Sequence, residues 1–151
     1  MTEEEFSDYW PKVVDKKFSG DQQLTEEENV FYAVNCLRGA VPRSSLVGYL
    51  ENVDAEEVRD AIKGLRSLGL IEASEKLKET ASIFLQGDEL EQIQGLLADK
   101  YSDLNEEDYD DLELKMFEEL GSIEDYFMEQ DGAFFDALCL HADQNKLNNN
   151  D

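Results

Sequence analysis

The stretch Asp54–Leu70, DAEEVRDAIKGLRSLGL, decides the fold. Val58, Ala61, Ile62, Leu65 and Leu68 recur at three- and four-residue intervals, which line them along one face of an α-helix and leave the charged residues on the other. Asp54 stands in the N-cap position with Glu57 three residues on, so the aspartate oxygen can satisfy a free amide and the glutamate can reach back. Gly69 is placed to end the helix in a left-handed turn. The same grammar recurs upstream, where Thr25 is followed by Glu28 and then by Val30, Phe31, Val34 and Leu37 on one helical face.

Downstream, the periodicity predicts helices over Leu70–Leu85, closed by Gly87, and from Asp88 to about Tyr101 with Leu90, Ile93, Leu96 and Leu97 inward. A third is predicted over Glu106–Leu120, closed by Gly121. Ser122 then caps a short helix carrying Ile123, Tyr126 and Phe127, and the last helix runs from Ala133 to about Lys146. Pro11 is expected in the first turn of a helix running to Phe18, since a mid-helix proline costs about 3 kcal/mol. No segment alternates with a period of two. The expected fold is all-α, a single compact domain of about seven to eight short helices over residues 1–147, followed by a polar tail, 148–151. Val58, Ile62, Leu65, Leu96, Phe117 and Phe134 are the expected core.

Asp and Glu number 37 against 13 Lys and Arg, a formal net charge of -24. A surface of this sign repels nucleic acid and anionic lipid, so direct nucleic-acid and membrane partners are not expected; basic proteins are. Met1–Asp8 is already acidic and carries no signal-peptide pattern, and no apolar run is long enough to span a bilayer, so a soluble, cytoplasmic protein is expected. Cys36 and Cys139 are expected as free thiols.

No catalytic or cofactor chemistry stands out, and an enzyme is not expected. His141 is the single histidine, and Cys139, two residues away on a helix, points to a different face. Asp103 and Asn105 begin like a calcium loop, but Asp108 replaces the required glycine and Leu114 the bidentate glutamate, so no metal is expected. Pro42–Leu50 and Asp54–Leu68 could form a winged-helix-like DNA-binding unit. Against it, Leu77, Ala81 and Phe84 stay helical where a wing would turn, and Asp54, Glu56, Glu57 and Asp60 crowd the recognition helix.

Landmarks between Leu24 and Phe84 carry a family resemblance. They are LTEEENVFYAVNCL (24–37), RSSLVGYLEN (43–52), EEVRDAIKGLRSLGL (56–70) and EKLKETASIF (75–84). In this order they resemble the acidic DNA-mimic protein family, a helical family. Tyr49, Leu50 and Asn52 fall on its aromatic pair and asparagine, Leu68–Leu70 on its Ile-Gly-Ala-like turn, and Ile83 and Phe84 on its closing apolar-Phe pair. Arg43, Ser44, Ser45 and Leu46 replace its Asn-Gly-Gly-Phe motif, and Gly48 replaces a glutamine. The resemblance implies a helical fold and, for some members, imitation of DNA toward a DNA-binding protein.

Acidity is concentrated. Residues 88–131 hold 17 Asp or Glu against Lys100 and Lys115, a net of -15. Within Glu106–Glu119 eight acids lie on about 21 Å of helix, about one per 2.6 Å, against one phosphate charge per about 1.7 Å of duplex axis. With Tyr109, Leu112, Met116, Phe117 and Leu120 marking the buried face, Glu107, Asp111 and Glu118 face solvent, flanked by Asp108, Asp110 and Glu119. These six are the candidate partner-binding residues. Leu114 lies among them, where a leucine has no solubility role, and is expected to touch a partner or, in a homodimer, a second subunit. A DNA mimic occupying the basic face of a DNA-binding protein is the expected function, and an immunity-type protein neutralising a cationic enzyme or toxin is the alternative.

Overall fold

Thr25 opens the element on which the others pack. Its hydroxyl accepts from the Glu28 amide at 3.2 Å while the Glu28 carboxylate accepts from the Thr25 amide at 2.8 Å, closing a capping box. The helix α2 that follows, Glu26–Asn52, buries Phe31, Tyr32, Ala33, Val34 and Asn35 in succession. A helix buried all round belongs at the centre of a fold. A computed structural model describes residues 1–147; the expected polar tail, 148–151, lies outside them.

The other described helices are α1 (Glu3–Ser19), α3 (Ala55–Ser67), α4 (Ile71–Phe84), α5 (Asp99–Ser102), α6 (Glu106–Glu129) and α7 (Asp131–Asn145). Helices α1, α3, α6 and α7 pack on α2, and α4 bridges α3 and α6. No strand occurs among the described residues, so the all-α expectation holds, and Ile71–Phe84 is helical where a wing would need a hairpin. Helix α3 has the predicted boundaries. Asp54 accepts from the Glu57 amide at 2.8 Å, without the reciprocal bond that would complete a capping box. Gly69, at φ 78°, closes a Schellman turn in which the Leu70 amide bonds the Leu65 carbonyl and the Gly69 amide the Arg66 carbonyl.

Several expectations are corrected. Helix α1 begins at Glu3, capped by a Thr2–Glu5 capping box, and Pro11 lies inside it. The Ser7 carbonyl that loses its partner belongs to an exposed residue, where water can satisfy it. The helix expected from Asp88 is instead a 3-10 turn at Leu90–Gln92, an irregular run and the short α5. Gly95 adopts φ 86° there, and the Arg59 guanidinium donates to the carbonyls of Leu90 and Ile93 at 2.8 and 3.0 Å, serving backbone groups that a helix would have paired. Leu96 pairs with Asp54 in an isolated antiparallel bridge and is exposed, not core.

Helix α6 does not stop at Gly121, whose φ is not positive, and Ser122 caps nothing. Leu112, Met116, Leu120, Ile123 and Phe127 form one continuous buried stripe, and burying its lower half outweighs the roughly 1 kcal/mol that a mid-helix glycine costs. That stripe leaves Phe117, expected in the core, 72% exposed. Val58, Leu65 and Phe134 are buried as expected, and Ile62 is half-buried against the core.

Gly64 sets how closely α3 approaches α2. A Cβ added there would lie 2.9 Å from Cγ2 of buried Val34, a branched side chain with nowhere to turn. Gly64→Ala should therefore lower stability by about 1–2 kcal/mol, overpacking outweighing alanine's better helix propensity. A Cβ on Gly121 meets nothing within 4 Å, so Gly121→Ala should raise stability by up to about 1 kcal/mol. Urea unfolding of both variants, read as the shift in midpoint, checks the contrast.

Candidate protein-binding surface

Asn105 starts α6 by accepting from the Asp108 amide at 2.8 Å, and Glu106, Glu107 and Asp108 fill the first turn, where the helix dipole favours negative charge. Leu112, Met116 and Leu120 then hold the helix against the core. Tyr109 is half-buried, and its hydroxyl donates to Glu51 of α2 at 3.1 Å. Burial, and then the neighbouring Glu51 carboxylate, push the Tyr109 phenol above its ordinary value, so it stays protonated and able to donate. Tyr101 packs edge-on against both Tyr109 and Phe84, at 5.4 and 4.1 Å between ring centres, joining α4, α5 and α6.

All six predicted acids, Glu107, Asp108, Asp110, Asp111, Glu118 and Glu119, are exposed on this one helix. No acid of α6 is in an ion pair among the described residues. Successive residues turn by 100°, so Glu107, Asp111 and Glu118 point away from the buried stripe. Asp110 leans to the side facing the second half of α2, while Asp108, Asp111 and Glu119 border a cleft of about 880 Å³ against α4, which Lys115 shares. Leu114 is 62% exposed on the outward face, as expected.

The side of α6 facing α2 holds a feature that periodicity missed. Helix α2 kinks at Ser45, at φ 67° and ψ 168°, a conformation that favours glycine. The Ser45 hydroxyl accepts from the Gly48 amide at 3.1 Å, capping the second half of the helix. Between that half and α6 lies a groove of about 580 Å³, lined in part by Val47 and Phe117 and bordered by Glu51, Glu113, Glu124 and Asp125. Ile123 and Phe127, continuing the apolar spacing of Leu112, Met116 and Leu120, were the signal that α6 runs on past Gly121 and carries Glu124 and Asp125 to this border.

Other chemistry-bearing residues serve the fold. His141 Nε2 donates to the Glu27 carbonyl at 2.9 Å, tying α7 to the start of α2. Cys36 and Cys139 are free, and burial pushes the Cys36 thiol up to about 11. No group of three or more metal-ligating side chains occurs among the described residues, and no described helix is long and apolar enough to cross a membrane.

A family model described as DMP19-like protein matches residues 22–145. The chain belongs to this family. The match contains α2 to α7, extends the Leu24–Phe84 resemblance through the acidic helix, and leaves α1 outside. No curated protein and no solved structure shows significant similarity to the chain.

Ser45 stands at the second glycine of the motif that the sequence lacks, and its backbone still adopts a glycine-like conformation. Ser45→Gly should raise stability by about 1 kcal/mol, because relief of strain exceeds the few tenths lost with the cap. Ser45→Ala keeps the strain and loses the cap, and should lower stability by about 1 kcal/mol. Thermal or urea unfolding of the two variants measures both signs.

Proposed function

We propose that the protein is a DNA mimic that occupies the basic nucleic-acid-binding surface of a partner protein. The observation that carries this reading is the row of exposed carboxylates along α6, free of internal ion pairs among the described residues. At 1.5 Å per residue α6 is about 36 Å long, about one turn of duplex DNA. A helix anchored by a buried stripe holds its charges in place before binding, so the partner need not order a flexible chain. Membership of the DMP19-like family supports the same reading. In it the chain binds and does not catalyse, and its partner is a DNA-binding protein.

Affinity should fall steeply with salt, because the screening length drops from about 10 Å at 0.1 M to about 3 Å at 1 M. Duplex DNA and this protein should compete for one site on a partner recovered from lysate. Glu107→Gln, Asp111→Asn and Glu118→Gln together should weaken the complex about tenfold or more, about 1.4 kcal/mol, while circular dichroism shows unchanged helicity. Leu114→Lys should lower partner affinity or dissociate a homodimer, read by sedimentation. Salt-independent binding, or a ternary complex with DNA, rejects the mimic. A captured nuclease or toxin that DNA does not displace favours an immunity-type neutraliser.

A further inference from the structure

We infer that the groove between the second half of α2 and α6 is a docking site for a basic helical segment that inserts an apolar anchor side chain. This deepens the mimic reading and rests on it for the claim that the partner is basic. An apolar strip runs through the groove: Val47 comes from α2, and Met116, Phe117 and Leu120 from α6, with Ser44, Ser45 and Tyr109 beside them. Every charged residue on its border is acidic, Glu51 on one side and Glu113, Glu124 and Asp125 on the other, and no Lys, Arg or His lines it. The cleft against α4 has Lys115 on its lining, and the recess beside Arg59 includes Lys63 and Lys78, so neither shares this combination.

Charge complementarity identifies the occupant. An apolar strip with Glu51 on one side and three carboxylates on the other matches a helix with an apolar ridge flanked by Lys and Arg, the amphipathic-helix-in-groove mode of recognition. A second copy of this chain would bring carboxylates against carboxylates, at a net charge of -24 per chain. Phe117, 72% exposed, is the largest apolar surface the groove offers an anchor. Gly121 leaves an opening beside it, since a Cβ there would meet nothing within 4 Å. The strained Ser45 backbone, which turns α2 at the edge of the groove, is the kind of local cost that persists at binding sites.

The experiment uses the full chain and two synthetic helical peptides with the same Lys and Arg, one with a ridge of Leu and Trp and one with those anchors changed to Ser. Fluorescence anisotropy at fixed salt should show the anchored peptide binding about tenfold tighter, the factor that one buried leucine-sized side chain supplies. Phe117→Ser removes the apolar wall and Gly121→Trp fills the opening; both keep every carboxylate, and each should abolish the difference, while Phe117→Leu should retain it. Equal binding of the two peptides to the wild type overturns the proposal, as does a tenfold preference that survives both Phe117→Ser and Gly121→Trp. A dimer that Phe117→Ser dissociates, with the peptide preference unchanged, assigns the groove to a second copy and also overturns it. Loss of DNA competition with the peptide preference intact would sink the mimic reading alone.

Discussion

Five successive side chains of α2, Phe31 to Asn35, are buried, so that stretch of the helix has no face left for solvent and other helices must wall it on every side. The remaining architecture follows from this demand. Helix α3 comes closest, because Gly64 offers no Cβ against Val34. Helix α7 is drawn in by Arg38, whose guanidinium donates to Asp131 at 2.8 Å and lies 5.0 Å from the centre of the Phe135 ring. Helix α1 is fixed by Lys16, which reaches the buried Glu28 carboxylate at 2.7 Å. That carboxylate also closes the cap of α2, so a single side chain starts the central helix and holds a neighbour against it.

Such a centre lets α6 be almost wholly acidic outside. A helix with one cation among its acids would be a poor structure alone, since like charges three and four residues apart repel. The buried stripe from Leu112 to Phe127 supplies the stabilisation that the surface withholds. Charge for a partner and apolar contacts for the core are thus divided between the two sides of one helix, with Phe117 and Leu114 as the exposed apolar exceptions.

Much of this was legible in the sequence, because capping and periodicity are local. Asp54, Gly69 and the stripe Val58–Leu65 mark α3 within a residue or two of its ends, and the six acids of the candidate surface are all exposed as read. The errors came where distant contacts outweighed a local rule. Thr2–Glu5 repeats the pattern of Thr25–Glu28, yet the rule against interior proline hid it; the exposure of Ser7, whose carbonyl loses its partner, makes Pro11 tolerable. Gly121 looked like a stop until Ile123 and Phe127 found the core. Conversely, the helix-like spacing of Leu90, Ile93 and Leu97 failed because Gly95 and the carbonyl bonds of Arg59 favour an irregular run. The groove depends on a kink in one helix and the far half of another, a pairing that no window of sequence contains.

The unpaired carboxylates of α6 also act on the folding of the chain that carries them. Their mutual repulsion is strongest when the chain is compact, so it opposes the native state. Added salt relieves it, strengthening the fold under the same conditions that weaken an electrostatic complex. A cationic partner does the work of salt at one place: where it binds the ordered row of carboxylates more tightly than the unfolded chain, its binding stabilises the fold by mass action. The free protein therefore stores, along one helix, electrostatic work that is released when the complex forms.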